Sequence, residues 1–203
     1  MSGELRNIPP IWTAAFHWLS CLLYIALLPG RWGRWQRWTI ALILLAVQVP
    51  YMQVIAPLDG MPFNFGMVGF ALLTLLLFLL LCKVNVPGSL YYCARAFILG
   101  GFAVSLSWQL YVYYRPQLAW LHSLWAEAAL MLAVGGVVYA AAWLLERVHR
   151  REMGEMSITR PAYVGAVAIA FIIYILSSLS YSTVETPIAA TVEADAFSLR
   201  TIA

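Results

Sequence analysis

Apolar runs of helical length, separated by short polar breaks, organise this chain. They cover residues 10–28, 39–55, 66–82, 90–114, 124–145 and 162–179. At ~1.5 Å of rise per residue, such runs approach or exceed the ~30 Å hydrocarbon core of a bilayer. The pattern predicts an all-α, polytopic membrane helix bundle of about six transmembrane helices. A signal peptide is the rival reading of the first run. Against it stand a weakly basic leader, His17 within the run, and no small-x-small cleavage site after it. The breaks carry turn chemistry, with Pro29-Gly30, then Pro57, Gly60 and Pro62, then Pro87-Gly88.

The run at 90–114, LYYCARAFILGGFAVSLSWQLYVYY, differs from its neighbours. It holds Arg95, the paired Gly100 and Gly101, and a polar end with Ser105, Ser107, Trp108 and Gln109. A charge inside a span is costly and faces protein, water or headgroups instead of acyl chains. This run is expected to be the hub helix, with Gly100 and Gly101 near mid-membrane as its moving part. The second run carries Gln48, Pro50 and Gln53, and Pro50 should kink it or end its regular part. The third is almost wholly Leu, Phe and Val, the pattern of a lipid-facing helix. Glu127 stands near the start of the fifth, and Ala162, Ala166 and Ala170 form a small-residue stripe in the sixth.

Composition points the same way. Hydrophobic residues make up 63% of the chain and charged residues 10%, against about 45–50% and about 25% in soluble domains. The basic residues then set the orientation. Arg31, Arg34, Arg37, Lys83, Arg147, Arg150, Arg151 and Arg160 fall in the breaks after the first, third and fifth runs. The opposite side has only Arg6, Arg115 and Arg200. The positive-inside rule makes the first side cytoplasmic and leaves the N-terminus outside, together with the acidic stretch 180–203. In RWGRWQRW, 31–38, arginines alternate with tryptophans, as in nucleic-acid and anionic-lipid binders. The stretch is too short for a nucleic-acid module and reads as an interfacial turn, so no nucleic-acid partner is expected.

With the orientation set, polar residues can be ordered by depth. Arg95 lies roughly 8 Å into its run, within snorkelling reach of the cytoplasmic interface. Glu127 enters from the other side, on the order of 20 Å away, so a direct Arg95–Glu127 ion pair is not expected. His17, Gln48, Gln109 and Glu127 each lie roughly 5–12 Å inside the outer end of a different run. They read as one polar layer, walled by Trp108, Tyr111 and Tyr51. That layer serves either as hydrogen-bonding glue between helices or as an outward-facing pocket for a small-molecule or peptide ligand.

Signatures of catalysis are missing: there is no HExxH, GxSxG or glycine-rich phosphate loop, and no paired CxxC. His149 and Glu152 alone do not make a metal site. Cys21, Cys82 and Cys93 lie in or beside runs and form no disulfide framework, and Cys82 and Cys93 are near enough the interface for palmitoylation. No cofactor, metal or enzymatic activity is expected of these 203 residues.

The segment YYCARAFILGGFAVSLSWQLYVYY, Tyr91 to Tyr114, resembles the signature of the membrane-embedded sensor region of GHKL-type sensor histidine kinases of the Firmicutes. LSYSTVETP, 179–187, is similar to an external loop of that family, and FSLRTIA, 197–203, to the entry of its next membrane helix. The family pattern carries acidic residues where this chain has Gly101 and Ser107, so any acidic contact made there in relatives is missing here. The resemblance implies a single transmembrane sensor-like domain over 1–203, in the bacterial plasma membrane. Residues 180–203 would be an external tail or the start of a seventh helix, and the phosphoacceptor and ATP-binding parts would follow. The expected function is reception of an extracellular or membrane ligand and its relay to a cytoplasmic kinase module. Expected partners are the bilayer, such a ligand, and a second copy as a homodimer. The alternatives are a small transporter or channel component, for which no repeat symmetry is visible, and a stand-alone membrane partner subunit.

Overall fold

The apolar runs form helices, and proline and asparagine mark where two of them begin. The computed structural model describes residues 8–58, 61–115, 117, 123–153, 165 and 168. In it α1 spans Pro10–Leu27, α2 Arg34–Ile55, α3 Met61–Leu81, α4 Val86–Tyr114 and α5 Leu124–Met153. Pro10 opens α1, where a missing N–H costs nothing. Asn85 caps α4, its side chain accepting from the Gly88 N–H at 2.9 Å. Among the described residues the architecture is all-helical, with five helices long and apolar enough to cross a membrane. Their outward faces expose Leu42, Ile43, Leu72, Leu76, Leu132 and Val137, a surface suited to acyl chains and not to water.

Four helix boundaries move outward from the sequence expectation, that of α4 to Val86 among them. α2 takes in most of the tryptophan–arginine stretch, and α3 begins at Met61 within the expected turn. α5 runs on to Met153, so Glu146 belongs to a helix and not to the loop it was assigned. Pro50 neither ends α2 nor stops it short of Ile55, although its missing N–H leaves the Ala46 carbonyl without the usual helical donor. α3 is not purely lipid-facing. It buries Phe70, Thr74, Leu77, Phe78 and Leu81 while Leu72, Leu76 and Leu80 face outward. A helix apolar all round gives no sequence cue to its inner face. The sixth run at 162–179, the alanine stripe and the stretch 180–203 lie outside the described residues, apart from helical positions 165 and 168.

α1, not α4 alone, is the centre of the packing. It touches all four other helices, while α4 packs chiefly on α1, α3 and α5. One half of the core joins Cys21, Tyr24 and Ile25 to Leu77, Phe78, Cys93 and Ala96. The other joins Phe16 to Val104, Trp108, Tyr111 and Met131. Gly100 lets α1 and α4 approach closely, since a Cβ there would stand 2.9 Å from the His17 Cα.

The basic residues close one end of the bundle. The Arg31 N–H donates to the Leu81 carbonyl at 2.9 Å, and the Lys83 N–H donates to that of Pro29 at 2.8 Å. Arg31 Nε donates to the Cys82 carbonyl at 2.7 Å and Trp32 Nε1 to the Leu80 carbonyl at 2.8 Å. Arg37 donates to the carbonyls of Ile25 and Leu28. The last carbonyls of a helix have no partner within it and carry partial negative charge, so cationic donors stabilise them. The RWGRWQRW stretch thus ties the ends of α1 and α3 together.

Candidate functional site

At this basic end, α4 and α5 share an ion pair. Arg95 lies on the third turn of α4, and Glu146 is reached by continuing the inward stripe of α5 through Met131, Gly135, Val138 and Ala142. Arg95 Nη2 and Glu146 Oε2 are 2.8 Å apart, with the Arg95 side chain 32% exposed and that of Glu146 6%. The carboxylate therefore sits behind the guanidinium. Tyr24 of α1 and Tyr91 of α4 complete the surroundings, with the guanidinium carbon 5.4 Å and 5.5 Å from their ring centroids. Arg95 Nη1 also donates to the Tyr91 hydroxyl at 3.4 Å. Cation–π contact and a carboxylate together hold a charge that an apolar bundle would otherwise exclude.

A groove of about 550 Å³ opens beside the pair. Its polar end is formed by Tyr24, Tyr91, Arg95 and Glu146, and it continues over Ile98, Leu99, Phe102, Ala142 and Leu145. That volume is in the range of small-ligand sites. Snorkelling alone does not describe Arg95, which is held by three helices. Sequence reasoning missed Glu146 because it ended the span at the first charge. The helical stripe that ends on this residue was the available signal.

The residues expected to form an outer polar layer occupy three separate contacts. Glu127 lies at the end opposite the arginines, where its Oε1 accepts from Trp12 Nε1 at 3.1 Å, linking α5 to α1. Trp108 and Tyr111 share the core beside it with Ala126 and Trp12, their ring centroids 5.1 Å apart. Gln109 is half-buried on α4. His17 instead sits between aromatic rings, its centroid 5.6 Å from that of Phe70 and 4.9 Å from that of Phe97. His17 Nδ1 donates to the Thr13 carbonyl at 2.8 Å. Gln48 Nε2 donates to Thr74 Oγ1 at 3.2 Å between α2 and α3. None of these six lines the Arg95 groove. Of the two glycines expected to move, Gly100 is pressed against His17, whereas a Cβ on Gly101 would meet nothing within 4 Å. Tyr51, expected to wall the layer, donates to the Gly66 carbonyl at 2.8 Å.

Among the described residues the fold is all-helical, its five apolar helices point to a membrane setting, and an ion pair is held between two of them. No protein-family model, curated protein or solved structure matches the chain.

Proposed function

We propose that this chain is the signal-receiving membrane region of a two-component sensor histidine kinase of the GHKL type. In this reading six helices span the bacterial plasma membrane with the N-terminus outside, and a cytoplasmic kinase module lies beyond these residues. The kinase class rests on the resemblance of Tyr91–Tyr114, and the observation that supports a receiving site is the Arg95–Glu146 pair, placed at an open groove where α1, α4 and α5 meet. A carboxylate enclosed between helices is expensive even at the edge of a bilayer, and such ionisable groups are functional-site candidates. A ligand moves a receptor only by binding one arrangement better than another. An anionic group drawn to the open side of Arg95 would change how firmly it holds Glu146 and so how α4 packs on α5, and α5 leads towards the cytoplasmic side that the charge distribution assigns.

The test is autophosphorylation by the full reading frame in membrane vesicles, wild type against Arg95→Gln/Glu146→Gln. The double variant should insert and remain helical but lose regulation of phosphate incorporation. Cysteine labelling of residues 1–8 in intact cells checks the orientation. Substrate flux in proteoliposomes, with no kinase attached to the chain, would replace this reading with a small transporter.

A further inference from the structure

We propose that the groove between α1, α4 and α5 binds an anionic phospholipid from the leaflet at the basic end. Its phosphate would sit on Arg95, and one acyl chain would lie along Ile98, Leu99, Phe102 and Ala142. The proposal rests on the reading of this groove as the receiving site and names the class of molecule it receives.

Depth is the first argument. From Leu124 to Leu145, α5 carries no charge except Glu127, a rise of roughly 32 Å and so about one hydrocarbon core. Glu146 therefore stands at the hydrocarbon edge, and its ion pair brings Arg95 to the same level. Tyr24 sits in the last turn of α1, and Tyr91 precedes Arg95 by one turn. Tyrosines at that level fit the aromatic belt of a membrane interface.

Polarity along the groove is the second. Tyr91, Arg95, Ile98, Leu99 and Phe102 follow one another on one face of α4. From Tyr91 to Phe102 this strip rises roughly 16 Å, about half the ~30 Å hydrocarbon thickness. It is charged at the headgroup level and apolar to the midplane, the polarity of a single lipid. Phe102 is 57% exposed and Leu145 72%, so the strip opens sideways, where lipid has access.

The third argument is the free capacity of the guanidinium. Arginine has five N–H donors. Among the described residues Arg95 uses Nη2 on Glu146 and Nη1 on Tyr91. Glu146 fixes the guanidinium from behind without closing its open side, where a phosphate oxygen finds charge-assisted donors. Arg31, Arg37 and Lys83 stand at the same end of the bundle, outside the lining of the groove, and add to its positive potential. Basic pockets between spans bind anionic headgroups for this reason.

Native mass spectrometry of the full chain in detergent tests it, with phosphatidylglycerol and phosphatidylcholine of equal acyl length as probes. The wild type should prefer phosphatidylglycerol by about tenfold, since both lipids offer the phosphate but the choline cation of phosphatidylcholine cancels its charge and is repelled by the basic end. Arg95→Gln/Glu146→Gln should bind both equally, and Ala142→Phe, which fills the strip without touching a charge, should weaken both. Equal binding of the two lipids by the wild type would overturn the proposal without recourse to any variant. Displacement by glycerol phosphate lacking acyl chains would reassign the groove to a free phosphate ester, and a second chain in place of lipid would make it a dimer contact. These measurements need no kinase. A lipid preference without regulated phosphorylation therefore keeps the site and removes the sensing role, while regulated phosphorylation without a lipid preference does the reverse.

Discussion

Gly100 of α4 lies so close to His17 of α1 that a Cβ there would stand 2.9 Å from the His17 Cα and 3.1 Å from its ring carbons. Backbone on one side and a ring wedged between Phe70 and Phe97 on the other leave little room to yield. Gly100→Ala should destabilise the bundle by about 1–3 kcal/mol through overpacking. Gly101→Ala meets nothing within 4 Å and should be neutral or stabilising by up to ~1 kcal/mol, since alanine is the better helix former. Thermal unfolding in detergent reads both. Equal shifts for the two variants would show that α1 and α4 do not meet at this point.

The ion pair predicts an asymmetry. Glu146 is almost wholly enclosed while Arg95 keeps an open side. Arg95→Ala removes the cation held 2.8 Å from this enclosed carboxylate and should cost about 3 kcal/mol. Glu146→Gln leaves a guanidinium that still reaches the groove and should cost about 1 kcal/mol. The double variant Arg95→Ala/Glu146→Gln should regain part of the first loss. Additive effects in that cycle would mean the two side chains do not interact.

The same pair shows how far the sequence could be read. Five apolar runs were legible because a membrane helix needs length and hydrophobicity, and both are local properties. Four of their ends were not: the starts of α2, α3 and α4 and the finish of α5. Arg34 and Glu146 are charges, and charges look like loops until a partner is known. Arg37 finds the exposed carbonyls of α1, and Glu146 finds Arg95. Such partners lie far along the chain, and pairing them requires the packing of α1, α3, α4 and α5. Depth alone does not say which helices are neighbours. Glu127 and His17 were assigned similar depth, yet Glu127 faces Trp12 and His17 faces Phe70 and Phe97.

At the opposite end, the contact of Trp12 with Glu127 should be separable from bulk packing. Trp12→Phe keeps most of the aromatic contact with Phe16, now edge-on at 6.3 Å, but removes the indole donor. It should cost about 1 kcal/mol, the net worth of one hydrogen bond. Glu127→Gln retains an acceptor and should cost less, whereas Glu127→Leu removes it. An unfolding midpoint unmoved by Trp12→Phe would show that the 3.1 Å contact contributes nothing.

Cys82 follows α3 directly and is fully buried, with its carbonyl held by Arg31. Burial pushes its thiol up to about 11, against the pull of Arg37 and Arg31. A thiol is charged when deprotonated, so the folded protein keeps this proton at pH values where the unfolded chain, titrating near 9, has lost it. Its contribution is therefore fully present below pH 9 and declines between pH 9 and 11. At ~1.4 kcal/mol per pH unit the loss is on the order of 2–3 kcal/mol. In a Cys21→Ala/Cys93→Ala background, alkylation of Cys82 should be slow at pH 8 and rise only as the pH approaches 11. Rapid alkylation at pH 8, at the rate of an unfolded control, would place Cys82 in water and break the junction between the ends of α1 and α3.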